Sequence, residues 1–524
     1  MHEILPFMLA LVVLIVLIEM LADKLRIAYP VLLVVAGLLI SFVPGLPPLQ
    51  IDPDMIFFIF LPPLLFEAAW NISFKEMKKW WRIIGSFAFL VVLFSALAVA
   101  ILTSHFIPGF TLALGFLLGG IVSPPDAVST GAITKFVRVS RGTAAILEGE
   151  SLLNDASSLI IFRFALAAVG TGQFILQDAM MSFSWMVVGG VGIGLILGWF
   201  FMQAHKRLPT DAPSDIVFTL IEPYFFYWIA EQLHSSGVLA VVSGSLFLAN
   251  KRLVFLNSAS RVMGYSFWEA LIFILNGIVF MLIGLELPEV VAGLRTDGIP
   301  LSTAIIYGLL VTGALILARL ISSYAALFAT LIFRPGVTPN RNNRQMMWRT
   351  PLLLSWTGMR GVVSLAAALA IPITLQNGMA FPHRNLILFI TFVVILLTLL
   401  LQGLTLPYLI KRSHVFDSLG ETNDDDMKLK IKDQLVRETV RLLKESNRIH
   451  EDNYLQHMMQ QWEHKINQPE RLKMSEATKK AYLELLENQR LFLAELNKDP
   501  EINDQVILDQ IYQVDLEEER VKML

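Results

Sequence analysis

Apolar runs of about 20 residues recur from Ile4 to Ile410, the length a helix needs to cross a hydrocarbon core about 30 Å thick. Of 524 residues, 55% are hydrophobic and only 16% are charged, whereas soluble domains carry about 25% charged residues. The chain is therefore read as an all-α polytopic membrane protein. Its first apolar segment, 4–22, has neither a basic leader nor a small-residue cleavage site, so it reads as a retained span. A net charge of −3 gives no reason to expect nucleic acid, and the absence of cysteine removes disulfide and thiol chemistry.

The runs predict about thirteen transmembrane helices. Their limits are 4–22, 27–44, 54–70, 83–105, 109–134, 144–169, 181–203, 214–232, 237–250, 267–287, 302–332, 350–372 and 386–410. The intervening loops alternate in charge. One set holds Lys24 and Arg26, Lys75 to Arg82, Lys135 to Arg141, Lys206 and Arg207, Lys251 to Arg261, Arg334 to Arg349, and Lys411 and Arg412; the other holds only Arg295 and Arg384. Positive loops stay in the cytoplasm, which puts the N-terminus outside and the C-terminus inside. An odd number of spans requires the same arrangement. The expected domains are a membrane part, 1–412, and a charged tail of amphipathic helices, 413–524, read as a cytoplasmic regulatory segment. In the tail His450, His457 and His464 recur every seven residues and would share a helix face, either as a pH-sensing stripe or as part of a solvated surface.

Charge inside the apolar runs carries the functional information. Glu148, Glu150 and Asp155 enter one span in EGESLLNDASSLIIF. A charge at the bilayer centre costs at least about 2.5–3.5 kcal/mol and is seldom kept without use. Asp155 lies eleven residues into its span, roughly 16 Å deep and close to the midplane. Glu67, Asp126 and Arg360 fall at a similar depth in three other spans. Buried ion pairs can simply hold helices together, but four such groups at one level point to transport of something small and charged.

Two spans also contain breaks. Pro124-Pro125 removes two backbone donors just before Asp126, and Gly358 and Gly361 flank Arg360 in the twelfth span. Broken helices in corresponding positions of two halves point to a transporter site at the midplane. The fifth and twelfth spans correspond if spans one to six and eight to thirteen form inverted repeats. Gly190, Gly194 and Gly198 in span seven read as a close-packing seam. Arg163, beyond Asp155, reads as a snorkelling or structurally paired residue.

The motifs LPPLLFEA (61–68), SPPDAVS (123–129), ESLLND (150–155) and GMRGVVSLA (358–366) occur together in an order that resembles the monovalent cation:proton antiporters of the sodium/proton exchanger type, bacterial branch. The resemblance spans the whole membrane part. It implies two crossing unwound helices, formed around Ser123, Pro124 and Pro125 and around Gly358 and Gly361. It implies that Asp155 carries the ion and the proton, with Asn154 in place of the second acidic residue of electrogenic relatives. Asp126 would shape the site at the crossover, as a sodium ligand beside Asp155, Ser151 would add an oxygen, and Glu67 would approach from the facing domain. Glu150 would pair with Arg360. One departure is that Asp126 follows Pro125 and precedes Ala127, so a hydroxyl ligand expected before it is missing; Ser123 or a backbone carbonyl is left to substitute.

Sodium and a proton competing for one carboxylate suffice for exchange if only loaded states change sides. Because Asn154 cannot ionise, the expectation is electroneutral one-for-one exchange by an elevator-type movement, serving pH and sodium homeostasis at the cell membrane, with lithium as a further candidate ion. A homodimer is implied by the resemblance, and the expected partners are monovalent cations, protons and the lipid bilayer. No enzymatic chemistry and no cofactor beyond the transported ions are expected. A potassium/proton antiporter is the alternative within the class; a cation channel or an ion sensor lies outside it.

Overall fold

The computed structural model describes residues 4–25, 27–43, 53–126, 131, 141–171, 176–333, 344–375, 378–413, 424–445, 456–457, 459–460, 463, 476–496 and 504–522. His450, His464, Ala127, Lys135, Arg138, Arg334 and Arg341 lie outside the described residues, so the histidine stripe is represented by His457 alone. Two compact units divide the chain, Met1–Leu419 and Gly420–Leu524.

The regular secondary structure described in the first unit is helical, apart from one isolated bridge between Thr374 and Ala380. In chain order its helices are α1 (Ile4–Leu25), α2 (Tyr29–Ser41), α3 (Pro53–Asn71), α4 (Phe74–Gly85), α5 (Val92–Phe106), α6 (Leu112–Val122) and α7 (Arg141–Thr171). There follow α8 (Leu176–Arg207), α9 (Ala212–Gln232), α10 (Gly237–Phe255), α11 (Ser258–Leu285), α12 (Leu287–Thr296) and α13 (Leu301–Phe333). The last are α14 (Arg344–Trp356), α15 (Val362–Leu369) and α16 (Arg384–Ser413). Among the described residues eight helical stretches are long and apolar enough to cross a membrane, and α2 and α6 are shorter apolar helices.

Local sequence sets the starts of these helices. Thr111, Asp211, Ser236 and Asn257 each accept from a backbone N–H three residues on, capping α6, α9, α10 and α11. Such caps satisfy donors that the first turn leaves without partners. Ser73 and Glu76 begin α4 in the same way. Here the structure differs from the expected loop: Lys75, Lys78, Lys79 and Arg82 lie on a helix that runs through a π-helical turn, Ser86–Val91, into α5. Ser157 Oγ of α7 donates to Ala88 O of that turn at 2.5 Å.

Large apolar side chains such as Leu17, Trp199 and Ile321 are exposed; facing lipid, they lose nothing by it. Cohesion therefore comes from close packing and satisfied polar groups. One core joins α1, α2, α11 and α16 through Ile15, Leu33, Phe280 and Ile395. A second joins α6, α13 and α16 through Leu117, Leu315 and Ile387, and a third joins α3, α7, α9 and α10 through Phe66, Ala156, Phe226 and Val241. The glycine seam of α8 packs on α10: a Cβ at Gly190 would fall 2.8 Å from Ser236 O, and one at Gly194 would collide with Ala240 O.

In the second unit α17 (Asp424–Glu445), α18 (Glu476–Leu496) and α19 (Asp504–Lys522) are amphipathic. α18 pairs with α19 through Arg490, whose Nη2 lies 2.7 Å from Asp515 Oδ1.

Candidate functional site at the helix crossing

Two interrupted segments and one continuous helix meet in the first unit. α6 ends at Val122, and Ser123 to Asp126 continue without helix; α14 ends at Trp356 and α15 begins at Val362, leaving Thr357 to Gly361 between them. Each gap leaves backbone groups without helical partners, and the gaps supply one another. Asp126 N–H donates to Met359 O at 2.7 Å. Arg360 Nε donates to Val122 O at 2.9 Å and Nη1 to Gly358 O, while its own backbone N–H donates to Thr398 Oγ1 at 3.2 Å. The guanidinium, 0% exposed, is thus solvated by the carbonyls that the breaks release. Irregular backbone at this depth is tolerated where it is buried in protein.

Gly361 permits the close approach. A Cβ there would stand 2.5 Å from Asp126 Oδ2, so the Asp126 carboxylate rests against the bare backbone of the other break. Gly358 does the same for the Arg319 side chain, whose Cδ lies 2.7 Å from the Cβ position.

α7 runs past the crossing unbroken and presents Ser151 and Asp155, four residues apart on one face. Ser151 Oγ donates to Pro125 O at 3.2 Å. Asp155 is buried and within electrostatic reach of Asp126. Asn154 is 0% exposed, and neither of its amide atoms has a hydrogen-bond partner; the same holds for Ser123 Oγ, Ser364 Oγ and Arg360 Nη2. Buried polar atoms without partners are few in native proteins, and a cluster of them calls for an explanation. Here they lie on the two broken segments and on α7, the elements that carry Asp126 and Asp155.

Asp126, Ser151, Asn154, Asp155, Ser123, Pro124, Pro125, Arg360, Gly358 and Gly361 are therefore brought to one region. Glu67 stands apart on α3. It accepts from Asn71 Nδ2 at 2.6 Å, lies within electrostatic reach of Glu148 and Glu269, and lines a cavity of about 460 Å³ with Asp215, Ser260 and Trp268.

The expected Glu150–Arg360 ion pair requires correction. Glu150, 1% exposed, pairs with Arg319 of α13 at 2.6 Å. Arg319 also donates from Nε and Nη2 to Leu354 O, at 3.3 and 3.2 Å, so it ties α7 and α14 together. Arg360 remains within electrostatic reach of Glu150, but its donors go to carbonyls. The physical reason is supply: the breaks give Arg360 carbonyl partners, whereas Arg319, on an unbroken helix, has a carboxylate to meet. Arg319 was not singled out from sequence. The available signal was an arginine deep in the apolar run GALILARLISSY. Arg163 proves paired, its Nη2 lying 2.7 Å from both carboxylate oxygens of Glu231 on α9.

Residues 9–412 match the family described as sodium/hydrogen exchanger, transmembrane. The low-affinity Na(+)/H(+) antiporter NhaS1 of Synechocystis is 33% identical over 389 residues, covering 74% of this chain and 69% of that protein. A sodium, potassium, lithium and rubidium/H(+) antiporter of Bacillus pumilus is 32% identical over 438 residues, covering 81% and 63%. The sodium proton antiporter MjNhaP1 from Methanocaldococcus jannaschii superposes with a TM-score of 0.61 at 20% identity, covering 78% of this chain and 98% of that one, which shows a shared fold. This chain belongs to the sodium/hydrogen exchanger family, whose substrates are monovalent cations and protons and whose place is a membrane.

Proposed function

We propose that the protein exchanges sodium for protons one for one, with Asp155 as the group both ions share. The observation that carries this reading is the buried Asp155 within electrostatic reach of Asp126 at a crossing of two broken helices, with buried polar atoms without partners on the same segments. Burial penalises a bare carboxylate, and either a proton or a cation removes the penalty. A hard cation prefers oxygen, and Asp155, Asp126, Ser151, the Asn154 amide and released carbonyls supply it. Glu67 joins from the facing side as the cavity closes. Since Asn154 does not ionise, one carboxylate exchanges one charge for one charge, and the cycle is electroneutral.

Access changes by movement of a core built on α5, α6, α7 and α13 to α16 against the remaining helices, which form the dimer contact. The Arg163–Glu231 pair joins α7 of the core to α9 of the frame, so it must open in each cycle. The charge bias of the loops supports an N-terminus outside and a C-terminal unit in the cytoplasm. There the protein would serve pH and sodium homeostasis, with the tail as a regulatory segment. Potassium exchange is the second reading, favoured by the potassium named for the Bacillus pumilus relative.

The test is purified protein in vesicles loaded with a pH-sensitive dye and given sodium, lithium or potassium gradients. Asp155→Asn is expected to abolish cation-dependent proton flux while melting close to wild type; retained flux would remove Asp155 from its role. An imposed membrane potential should leave the rate unaltered. A rate that follows the potential would contradict electroneutral exchange.

A further inference from the structure

A second polar cluster lies away from the crossing, buried where α8, α9 and α11 meet. His205, near the end of α8, is 4% exposed, Asp215 3% and Glu222 0%. His205 Nδ1 lies 2.8 Å from Asp215 Oδ1, and Nε2 lies 2.9 Å from Glu222 Oε1. Ser260 Oγ donates to Asp215 Oδ2 at 2.6 Å, and Glu222 Oε2 has no hydrogen-bond partner. Phe218 and Phe255 close over the imidazole at ring separations of 5.4 and 5.0 Å.

An imidazole with an oxygen at hydrogen-bond distance from both nitrogens needs a hydrogen in each gap. The cluster as it stands therefore holds two protons among three titratable groups. Removing one sets a nitrogen lone pair against a carboxylate oxygen in a water-poor site, and that contact opens. Adding one neutralises the cluster, and the unpaired Glu222 Oε2 offers a place for it. We propose that His205, Asp215 and Glu222 form a second proton-binding site, distinct from the crossing, whose occupancy sets the pH range in which the protein exchanges ions.

The geometry connects the site to the cavity lined by Glu67. Asp215 and Glu222 are seven residues apart on one face of α9, and the helix is tied elsewhere by its other side chains. Thr219 accepts from Trp268 Nε1 at 3.2 Å, and Tyr224 OH donates to Ile59 O of α3 at 3.1 Å. Trp268 stacks on Phe66, the neighbour of Glu67, with centroids 4.8 Å apart. Asp215, Ser260 and Trp268 also line the cavity that contains Glu67. Losing a proton at His205 removes the polar tie between α8 and α9, which otherwise pack through Phe201 on Phe225 and Phe226, and so loosens the wall of the cavity that Glu67 lines.

The charged groups that face this site come from every neighbouring helix. α9 brings the two carboxylates; α11 brings Ser260 and, within the cavity, Arg261 and Glu269; α10 brings Phe255 and Arg252; α3 brings Glu67. Lys206 and Arg207 follow His205 on α8 itself.

Two measurements decide the matter, and only the second rests on the exchange reading. The first is tryptophan fluorescence against pH in detergent, with Trp268→Phe identifying the part due to Trp268. Wild type is expected to show a Trp268-dependent transition that His205→Gln removes and Glu222→Gln displaces. The second is exchange rate in vesicles against the pH of the face bearing Arg252 and Arg261. His205→Gln should displace one limb of that profile by about one pH unit or more. No Trp268-dependent transition in wild type, or one shared unaltered by both variants, overturns the site; superimposed rate profiles overturn its control of exchange. Should His205→Gln fail to fold, Glu222→Gln answers both questions. Should wild type exchange no cation, the exchange reading fails while the fluorescence still decides the proton site.

Discussion

The chain contains two Pro-Pro pairs within apolar segments, and they have opposite outcomes. Pro62-Pro63 lies inside α3, which continues through it to Asn71. Pro124-Pro125 follows the end of α6, and the chain leaves the helix. Each pair removes the same two donors, so the dipeptide alone does not decide. What differs is the surroundings. At the second pair, Arg360 takes Val122 O, Ser151 takes Pro125 O, and Met359 O takes the Asp126 N–H. A helix breaks where another part of the chain can satisfy what the break releases. At the first pair one outside donor is enough: Tyr224 OH reaches Ile59 O, the carbonyl that Pro63 leaves unpaired, and α3 stays helical.

Substitutions can break this contrast, and their effects should fall in order. Glu150→Ala strands Arg319 as an uncompensated buried charge beside the crossing, with an expected loss of about 3–5 kcal/mol. Thermal unfolding in detergent would show it, and a variant that melts like wild type would deny the ion pair its structural role. Gly361→Ala drives a methyl into Asp126 and should cost about 1–3 kcal/mol by overpacking. Gly85→Ala, where a Cβ meets nothing within 4 Å, is the control and should not destabilise. Ser151→Ala leaves Pro125 O without its donor and should cost about 1 kcal/mol, with any loss of ion affinity measured separately in vesicles. Pro62→Ala should have the smallest effect, under about 1 kcal/mol, because α3 already accommodates the ring. A large change there would mean that the Tyr224 hydrogen bond to Ile59 O depends on the shape the rings impose.

Much of this was legible in the sequence. Apolar length gave the helical class, Pro124-Pro125 and Gly358/Gly361 marked both breaks, and the depth of Asp126, Asp155 and Arg360 brought them to one level. Depth, however, is one coordinate. Which way a side chain points around its helix depends on packing, which neither depth nor the resemblance that implied the Glu150–Arg360 pair supplies; Arg319 holds Glu150. The His205 cluster was missed for a different reason. His205 precedes Lys206 and Arg207 at the edge of a basic loop, while Asp215 lies at the start of the span 214–232 and Glu222 eight residues into it. Their seven-residue spacing was the available signal. Only the fold shows that the three residues face one another away from water.

The π-helical turn at Ser86–Val91 has a consequence for the helix that contains it. Each residue of an α-helix rotates the chain by about 100°, and a π turn admits one residue more than the regular ladder. The stretch Phe74–Phe106 is thus a single rod whose two halves are offset in phase by about one residue's rotation. Lys75, Lys79 and Arg82 lie before the offset; after it, Ala96 and Ala100 face α6, where Gly115 and Gly119 press against their backbones. Because Ser157 of the ion-site helix is hydrogen-bonded at Ala88, the phase shift and the position of Asp155 are fixed together. Deleting one residue from 86–91 would rotate one half against the other and leave α7 without that anchor.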